Sequence, residues 1–149
     1  VALQRAGVDF RAHSYELVEG DLSYGEAVAA TLGVNPARLF KTLVAECDAK
    51  PVVAVVPVRS QLSLKALARA AAGKKAHMAD PVDAERWTGY VVGGISPFAQ
   101  KRRMPMFLDE SALGFQTIYV SAGLRGLQVE LDPDDLIRLL ECRLAPLTE

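Results

Sequence analysis

Gly93-Gly94, followed almost at once by Ser96-Pro97, leaves a short run of main chain with no side chain in front of it. A ligand can lie directly against such bare peptide groups. Pro97 fixes its own φ and drives Ser96 toward an extended conformation, so the loop is expected to be stiff. Gln100, Lys101, Arg102 and Arg103 then place one amide and three cations just beyond it, which suits a substrate with an anionic part. The same residues also fit a plain strand-to-loop turn followed by a solvated basic tail. By themselves they name no reaction.

A second candidate is Lys41, inside the strand-like run 39–46 (LFKTLVAE). Strand alternation puts Leu39, Lys41 and Leu43 on one face and Phe40, Thr42 and Val44 on the other, so the ammonium lands on an otherwise apolar face. It must reach water along its stem or face a cavity. Residue types alone favour the plainer role, an edge-strand lysine that discourages aggregation.

Several standard chemistries can be set aside. There is no phosphate loop of the Gly-x-x-x-x-Gly-Lys type, and Gly93-Gly94 lacks the third glycine and the helix opening of a dinucleotide fingerprint. His13 and His77 are not at metal-ligand spacing from each other or from a cysteine. No nucleophile elbow is present; Ser96 and Ser121 are nucleophile candidates by position only, and Cys47 and Cys142 read as ordinary thiols. A hydrolase built from this set would work by positioning and polarisation. It would use backbone donors, a cation and either a bound water or a reactive group on the substrate itself.

The elements that must hold these residues are those of one domain, residues 1–149. Half of the 149 residues are apolar, enough for one true core and too few for two. A formal charge of −1 argues against a general polyanion-binding surface and leaves room for a local basic patch. Cys47 and Cys142 stand far apart, so reduced thiols in a cytoplasmic protein are expected rather than a disulfide framework. The longest apolar run, 51–58 (PVVAVVPV), falls short of the ~20 residues a membrane span requires. Residues 1–6 read as the tail of a helix entered partway, which leaves an absent leader and a trimmed start both open.

Along the chain, residues 8–17 read as extended, and Ser23 with Glu26 forms a capping box that opens a helix ended by Gly33. Asn35-Pro36 predicts a single helical turn, and the run 51–58 a strand buried on both faces whose Pro57 end is frayed or at an edge. Helices are expected over 63–72, stopped by Gly73, over 81–87 after Asp80-Pro81, and over 133–140 after Asp132-Pro133. Residues 90–92 read as a strand ahead of the glycine pair. Residues 104–109, 115–120 and 127–131 read as a three-stranded meander. This order lacks regular strand-helix alternation, so the expected class is α+β with a mixed, curved sheet.

Three segments, 32–44 (LGVNPARLFKTLV), 88–101 (TGYVVGGISPFAQK) and 117–131 (TIYVSAGLRGLQVEL), closely resemble the YbaK family. That family is related to the editing domain inserted in bacterial prolyl-tRNA synthetases, and the likeness is greatest to free-standing Cys-tRNA(Pro) deacylases. It runs through nearly the whole chain in the expected order. The resemblance implies a strongly curved, barrel-like mixed sheet with surrounding helices. It also implies a cytoplasmic hydrolase that cleaves the aminoacyl ester of mischarged tRNA(Pro), without metal or cofactor. Lys41 falls on the family's essential lysine and the Gly93-Gly94 pair, Gly94 above all, on its backbone-polarising glycine. Tyr15, Gly93, Ile95, Ser96 and Ser121 fall on its substrate-contacting positions. Lys101, Arg102, Arg103 and Arg125 are the cations expected to touch tRNA, with Lys74 and Lys75 as weaker candidates, and a prolyl-tRNA synthetase is an optional partner. The implied mechanism is substrate-assisted: the cysteinyl thiol attacks its own carbonyl while backbone amides hold the oxyanion. Ala122 stands where a glycine is expected, and Phe98-Ala99 where Leu-Gly is more usual, which bears on amino-acid choice more than on reaction type. The rival readings are a deacylase for another aminoacyl group, such as alanine, and a non-catalytic module that binds tRNA or a synthetase.

Overall fold

A β-strand whose two faces are both apolar can be stable only with a packed layer on each side, and the run after the Asp48-Ala49 turn is such a strand. The computed structural model describes residues 10–14, 33–92, 94–123 and 127–149. In chain order these form β1 (Phe10–Ser14), a 3-10 turn (Pro36–Arg38), β2 (Phe40–Cys47), β3 (Lys50–Pro57), α1 (Leu64–Ala70), β4 (Ala76–Met78) and α2 (Pro81–Thr88). They continue with β5 (Met106–Asp109), a second 3-10 turn (Glu110–Gly114), β6 (Ile118–Ser121), β7 (Leu127–Leu131), α3 (Pro133–Leu140) and β8 (Arg143–Ala145).

The helix starts follow from local chemistry. Asn35, Ser63, Asp80 and Asp132 each accept a backbone N–H of the first turn through a side-chain oxygen, at 3.0, 3.1, 3.2 and 2.8 Å. Three of these caps are followed by proline at the first helical position, where its missing N–H costs nothing. The stop of α1 differs from expectation: Ala72 takes the left-handed conformation at φ +56°, not Gly73. Gly73 is required for another reason. A Cβ there would stand 2.3 Å from Cys47 Sγ.

The strands form two sheets. One has the order β4-β2-β3-β5-β8, with β2 antiparallel to β3 and β4, and β5 parallel to β3 and β8. The other is antiparallel, β1-β7-β6. A single parallel bridge, Leu39 to Tyr119, joins them. The class is therefore mixed α+β, but the barrel-like closure implied above is absent among the described residues: both sheets are open, and one bridge is not a ladder. The expected meander is also corrected, since β5 lies in the five-stranded sheet beside β3 while β6 pairs with β7. The short run that follows α3, 143–145, adds an edge strand that its weak apolar pattern did not signal. The expected helix tail at 1–6 and the helix expected from Ser23 lie outside the described residues, save Gly33, which takes the left-handed conformation at φ +68°.

β3 is central, as its composition requires. Val53 and Val55 point into one core with Phe40, Val44, Leu108, Ile118, Val120, Val129 and Leu131; Val52, Ala54 and Val56 point into a second with Leu67, Phe107 and Leu147. Pro57 ends the strand where β5, paired only to residues 53–55, no longer needs its N–H. Buried Asp109 ties the C-terminal tail to β5 by accepting the Leu147 N–H at 2.9 Å, and both the hydroxyl and amide of Ser111. Leu108, on β5, is fully buried in the first core. Leu108→Ala is expected to cost roughly 2–5 kcal/mol of unfolding free energy in urea titration, as large-to-small changes in closed cores do.

Candidate active site

The loop after α2 is built by its own side chains. Gly89 ends the helix in the left-handed region, at φ +82°. Thr88 donates its hydroxyl to Ala84 O and accepts the Tyr90 N–H at 3.1 Å. Residues 90–92 form no strand, against the sequence expectation: Val91 and Val92 are 71% and 49% exposed, and no ladder recruits them. From Gly94 to Phe98 the chain is buried, with Ile95 and Phe98 packed into the core that also holds Phe40 and Val44. Ser96 is 1% exposed; its Oγ accepts the Phe98 N–H at 3.2 Å and its carbonyl accepts Gln100 Nε2 at 3.0 Å. The Tyr90 hydroxyl donates to Phe98 O. The loop is thus as stiff as Ser96-Pro97 suggested, and hydrogen bonds add to what proline alone would do. Gly94 donates its N–H to Val91 O at 2.9 Å. Gly93 lies outside the described residues, as do Tyr15 and Arg125.

Lys41 is placed by alternation on the face of β2 away from that core, opposite Val56 of the second core. Half-buried, its ammonium is penalised by desolvation, which lowers its pKa from 10.5. Its surroundings follow from the Leu39–Tyr119 bridge. The bridge is parallel, so Lys41 and Ser121 each stand two residues beyond it along strands running the same way. Both side chains point away from the first core, which takes Phe40 from β2 and Val120 from β6. On the β4 side, β2 is paired only over 45–47, with Val44 O accepting Ala79 N–H, so residues 40–43 have no ladder partner there among the described residues. The two sheets part at this point. Lys41 and Ser121 stand on either side of the seam, and Gln128 is paired to Ser121 in the next strand. Thr42 faces inward; it is buried, and its hydroxyl has no hydrogen-bond partner among the described residues.

The polar face of the three-stranded sheet supports this seam. Arg38 donates to Thr117 O at 3.1 Å, to the Thr117 hydroxyl and to Glu130 at 3.1 Å, and its guanidinium lies 5.0 Å from the Tyr119 ring centre. Burial and the Glu130 charge push the Tyr119 phenol up, so it stays protonated. Sequence reading missed this network and missed buried Gln128. The signal was there in LQVEL, where Gln128 and Glu130 alternate with core residues. The glycine loop reaches the seam through Gly123: at φ +103°, its missing Cβ would stand 2.7 Å from Tyr90 Cε1, and its N–H donates to Ser121 Oγ at 3.2 Å. Ser121, Gly123, Tyr90 and the 94–98 segment are therefore one connected structure. The Lys41 side chain and those of Ile95 and Phe98 lie on opposite faces of β2.

The described cations among those named from sequence, Lys74, Lys75, Lys101, Arg102 and Arg103, are exposed and not equivalent. Arg102 and Arg86 flank the Trp87 ring, each 5.8 Å from its centre, and Arg103 pairs with Glu141. Lys101 is held through its backbone N–H to Thr88 O at 3.0 Å. Cys47 and Cys142 are buried and unbridged, and burial pushes the Cys142 thiol up to about 12, which leaves it an inert thiol. Among the described residues no group of three or more His, Cys, Asp or Glu is arranged to hold a metal.

Comparison with known proteins gives this geometry its class. The family model for the aminoacyl-tRNA editing domain matches residues 21–139, and the chain belongs to that family. Relatives in two species bear the names of aminoacyl-tRNA deacylases, so the class is that of a hydrolytic editing enzyme. EbsC of Enterococcus faecalis, provisionally named a Cys-tRNA(Pro)/Cys-tRNA(Cys) deacylase, is 41% identical over 142 residues, 95% of this chain and 86% of the relative. ProXp-y of Escherichia coli, a multifunctional Ser/Thr-tRNA deacylase, is 27% identical over 140 residues, 93% of this chain and 84% of the relative. A crystal structure provisionally described as a trans-editing enzyme for prolyl tRNA synthetase superposes with a TM-score of 0.83 at 22% identity, over 99% of this chain and 92% of the other. That likeness shows a shared fold.

The contact between Gly123 and Tyr90 can be tested directly. Gly123→Ala must strain the backbone and displace the ring, and is expected to lower the urea midpoint by an amount equivalent to roughly 1–3 kcal/mol. Tyr90→Leu in the same background should recover part of the loss; no recovery would show that the ring is not what the added methyl meets.

Proposed function

We propose that residues 1–149 form one trans-editing deacylase domain that hydrolyses the aminoacyl ester of mischarged tRNA(Pro), with Cys-tRNA(Pro) as its substrate. What carries the reading is the seam itself. By register, half-buried Lys41 and Ser121 each stand two residues beyond the bridge that joins the two sheets, and the serine is joined through Gly123 and Tyr90 to a stiff glycine loop. The similarity to EbsC supports the amino acid and the tRNA.

In this reading Lys41 pairs with the terminal adenosine phosphate or the ester oxygen, and partial desolvation strengthens that contact. The cysteinyl thiolate of the substrate attacks its own carbonyl carbon. The carbon–sulfur bond forms, the bond to the ribose oxygen breaks, and that oxygen takes a proton as the tRNA leaves; water then opens the thioester to free cysteine. Backbone at 93–96 polarises the carbonyl. Because the Gly94 N–H is already given to Val91 O, the part proposed for Gly94 is to leave the main chain bare, and the donor comes from its neighbours. Ile95 and Ser96, being buried, shape the loop from beneath, while Tyr15 and Ser121 are the proposed contacts to the aminoacyl group. Lys101, Arg102, Arg103 and Arg125 are proposed contacts to the RNA, with a prolyl-tRNA synthetase as an optional partner. No helix among the described residues is long and apolar enough to cross a membrane, which fits the proposed cytoplasmic setting.

A second reading, the same chemistry on another aminoacyl group, is favoured by the similarity to ProXp-y. Purified protein given Cys-, Ala-, Ser- and Thr-charged tRNA(Pro) in parallel should release cysteine fastest; faster release of another amino acid moves the assignment to that group. Lys41→Ala should cut deacylation at least about a hundredfold with folding intact, the size expected for loss of a transition-state cation. Full activity in this variant would remove the mechanism.

The lowered pKa of Lys41 also makes a stability statement. Burial opposes the charged form, so the folded state is penalised below the folded pKa, and the penalty lifts as pH rises through that value toward 10.5. Lys41→Met should therefore raise the thermal midpoint at neutral pH while abolishing hydrolysis, with the gain over wild type shrinking as pH approaches the ordinary lysine range. A gain that does not change with pH would mean packing, not charge, is responsible.

A further inference from the structure

At the end of the sheet far from Lys41, two clefts share one wall and run as a single groove. The first, of about 500 Å3, lies between the β2–β3 turn, the end of α1 and the start of β8. The second, of about 300 Å3, lies between the segment 97–102 and the last turn of α3. Arg103, Met104, Met106, Leu140 and Glu141 line both.

The groove is basic in a chain that is not. Lys50, Arg102, Arg103, Arg138 and Arg143 line it against two carboxylates, Asp48 and Glu141, although the formal charge of the whole chain is −1. Both carboxylates are committed. Asp48 accepts the Lys74 and Lys75 N–H groups at 2.9 and 3.0 Å, and Glu141, held at φ +53° where α3 ends, pairs with Arg103. Arg138 pairs with Asp135, while the exposed Lys50 and Arg143 have no ion-pair partner among the described residues. Buried Met104 and Met106 floor the groove with apolar surface. Spaced cations above an apolar floor match a sugar-phosphate backbone, whose charges take point partners while its sugars pack.

Position adds the second argument. Pro97 and Gln100 line one end, so the groove opens directly from the stiff glycine loop. Its other end begins at Cys47, six strand residues from Lys41 on β2, on the order of 20 Å away at strand rise. A few unpaired nucleotides cover such a span.

We propose that this groove binds the phosphodiester backbone of the acceptor stem of the same RNA whose esterified end is received at the Lys41 seam. The proposal rests on the deacylase reading and extends its RNA surface to Lys50, Arg138 and Arg143. The test is binding of uncharged tRNA(Pro) to the full chain over a salt series, followed by steady-state deacylation. Replacing Lys50→Glu together with Arg143→Glu should weaken binding about tenfold or more. The log–log salt slope should become shallower by about 1.8, at ~0.9 for each phosphate no longer neutralised, and the kinetic penalty should fall on KM rather than kcat. The milder pair Lys50→Ala and Arg143→Ala should move both quantities in the same direction. Lys65→Glu, an exposed cation on α1 outside the groove, should move neither. Unchanged affinity and slope in the double variants would overturn the proposal, as would an equal effect from Lys65→Glu. Loss of binding to a synthetase with tRNA binding intact would make the groove a protein-docking surface and overturn it too. Wild-type protein that binds tRNA with the expected slope but cleaves no ester would retire the deacylase reading and leave the groove standing.

Discussion

The structure depends on β3 being buried from both sides. A strand of Val and Ala with no polar face requires two layers, and each layer here does a different job. On one side the helix α1 and the C-terminal tail close a small core. On the other, the glycine loop itself is part of the wall, because Ile95 and Phe98 fill the space over Phe40 and Val44. The loop is thus held both by the hydrophobic burial of Ile95 and Phe98 and by its own hydrogen bonds along its length.

The same constraint creates the seam. β2 cannot pair along its whole outer edge, because β4 covers one end and β6 touches the other through a single bridge. Between them the edge has no ladder partner among the described residues, and there the chain places Lys41 on one face and, on the other, Thr42, whose buried hydroxyl has no hydrogen-bond partner among those residues. Both cost stability where they stand. The Arg38–Glu130–Thr117 network beside this edge is by contrast fully paired and fixes the sheet that carries Ser121.

Charge follows a similar division. A chain with nearly balanced charge has no global attraction for RNA, so any contact must be local. The cations gather at one end of the sheet because the β2–β3 turn, the segment after the glycine loop and the end of α3 all finish there. Three separated stretches of chain each supply part of one surface.

What the sequence determined by itself was local. Every described α-helix start was legible in its cap-plus-proline or serine signal, β3 in its unbroken apolar run, and the family in Phe-Lys-Thr-Leu with Gly-Gly-Ile-Ser-Pro, because these depend on chemistry within a few residues. The misreadings were matters of who pairs with whom. Residues 104–109 had strand composition but no mark saying that the partner would be β3, about fifty residues back, and not β6. Residues 90–92 had strand composition and no edge to join, so Val91 and Val92 stayed in solvent while Tyr90 packed against the core and Gly123. Only the tertiary structure decided that Lys41 and Ser121 stand at matching positions beyond the bridge between the sheets, that Gln128 is paired to Ser121, and that Lys50 and Arg143 share a groove. The physical reason is that alternation fixes which face a side chain takes, while long-range strand pairing fixes what that face meets.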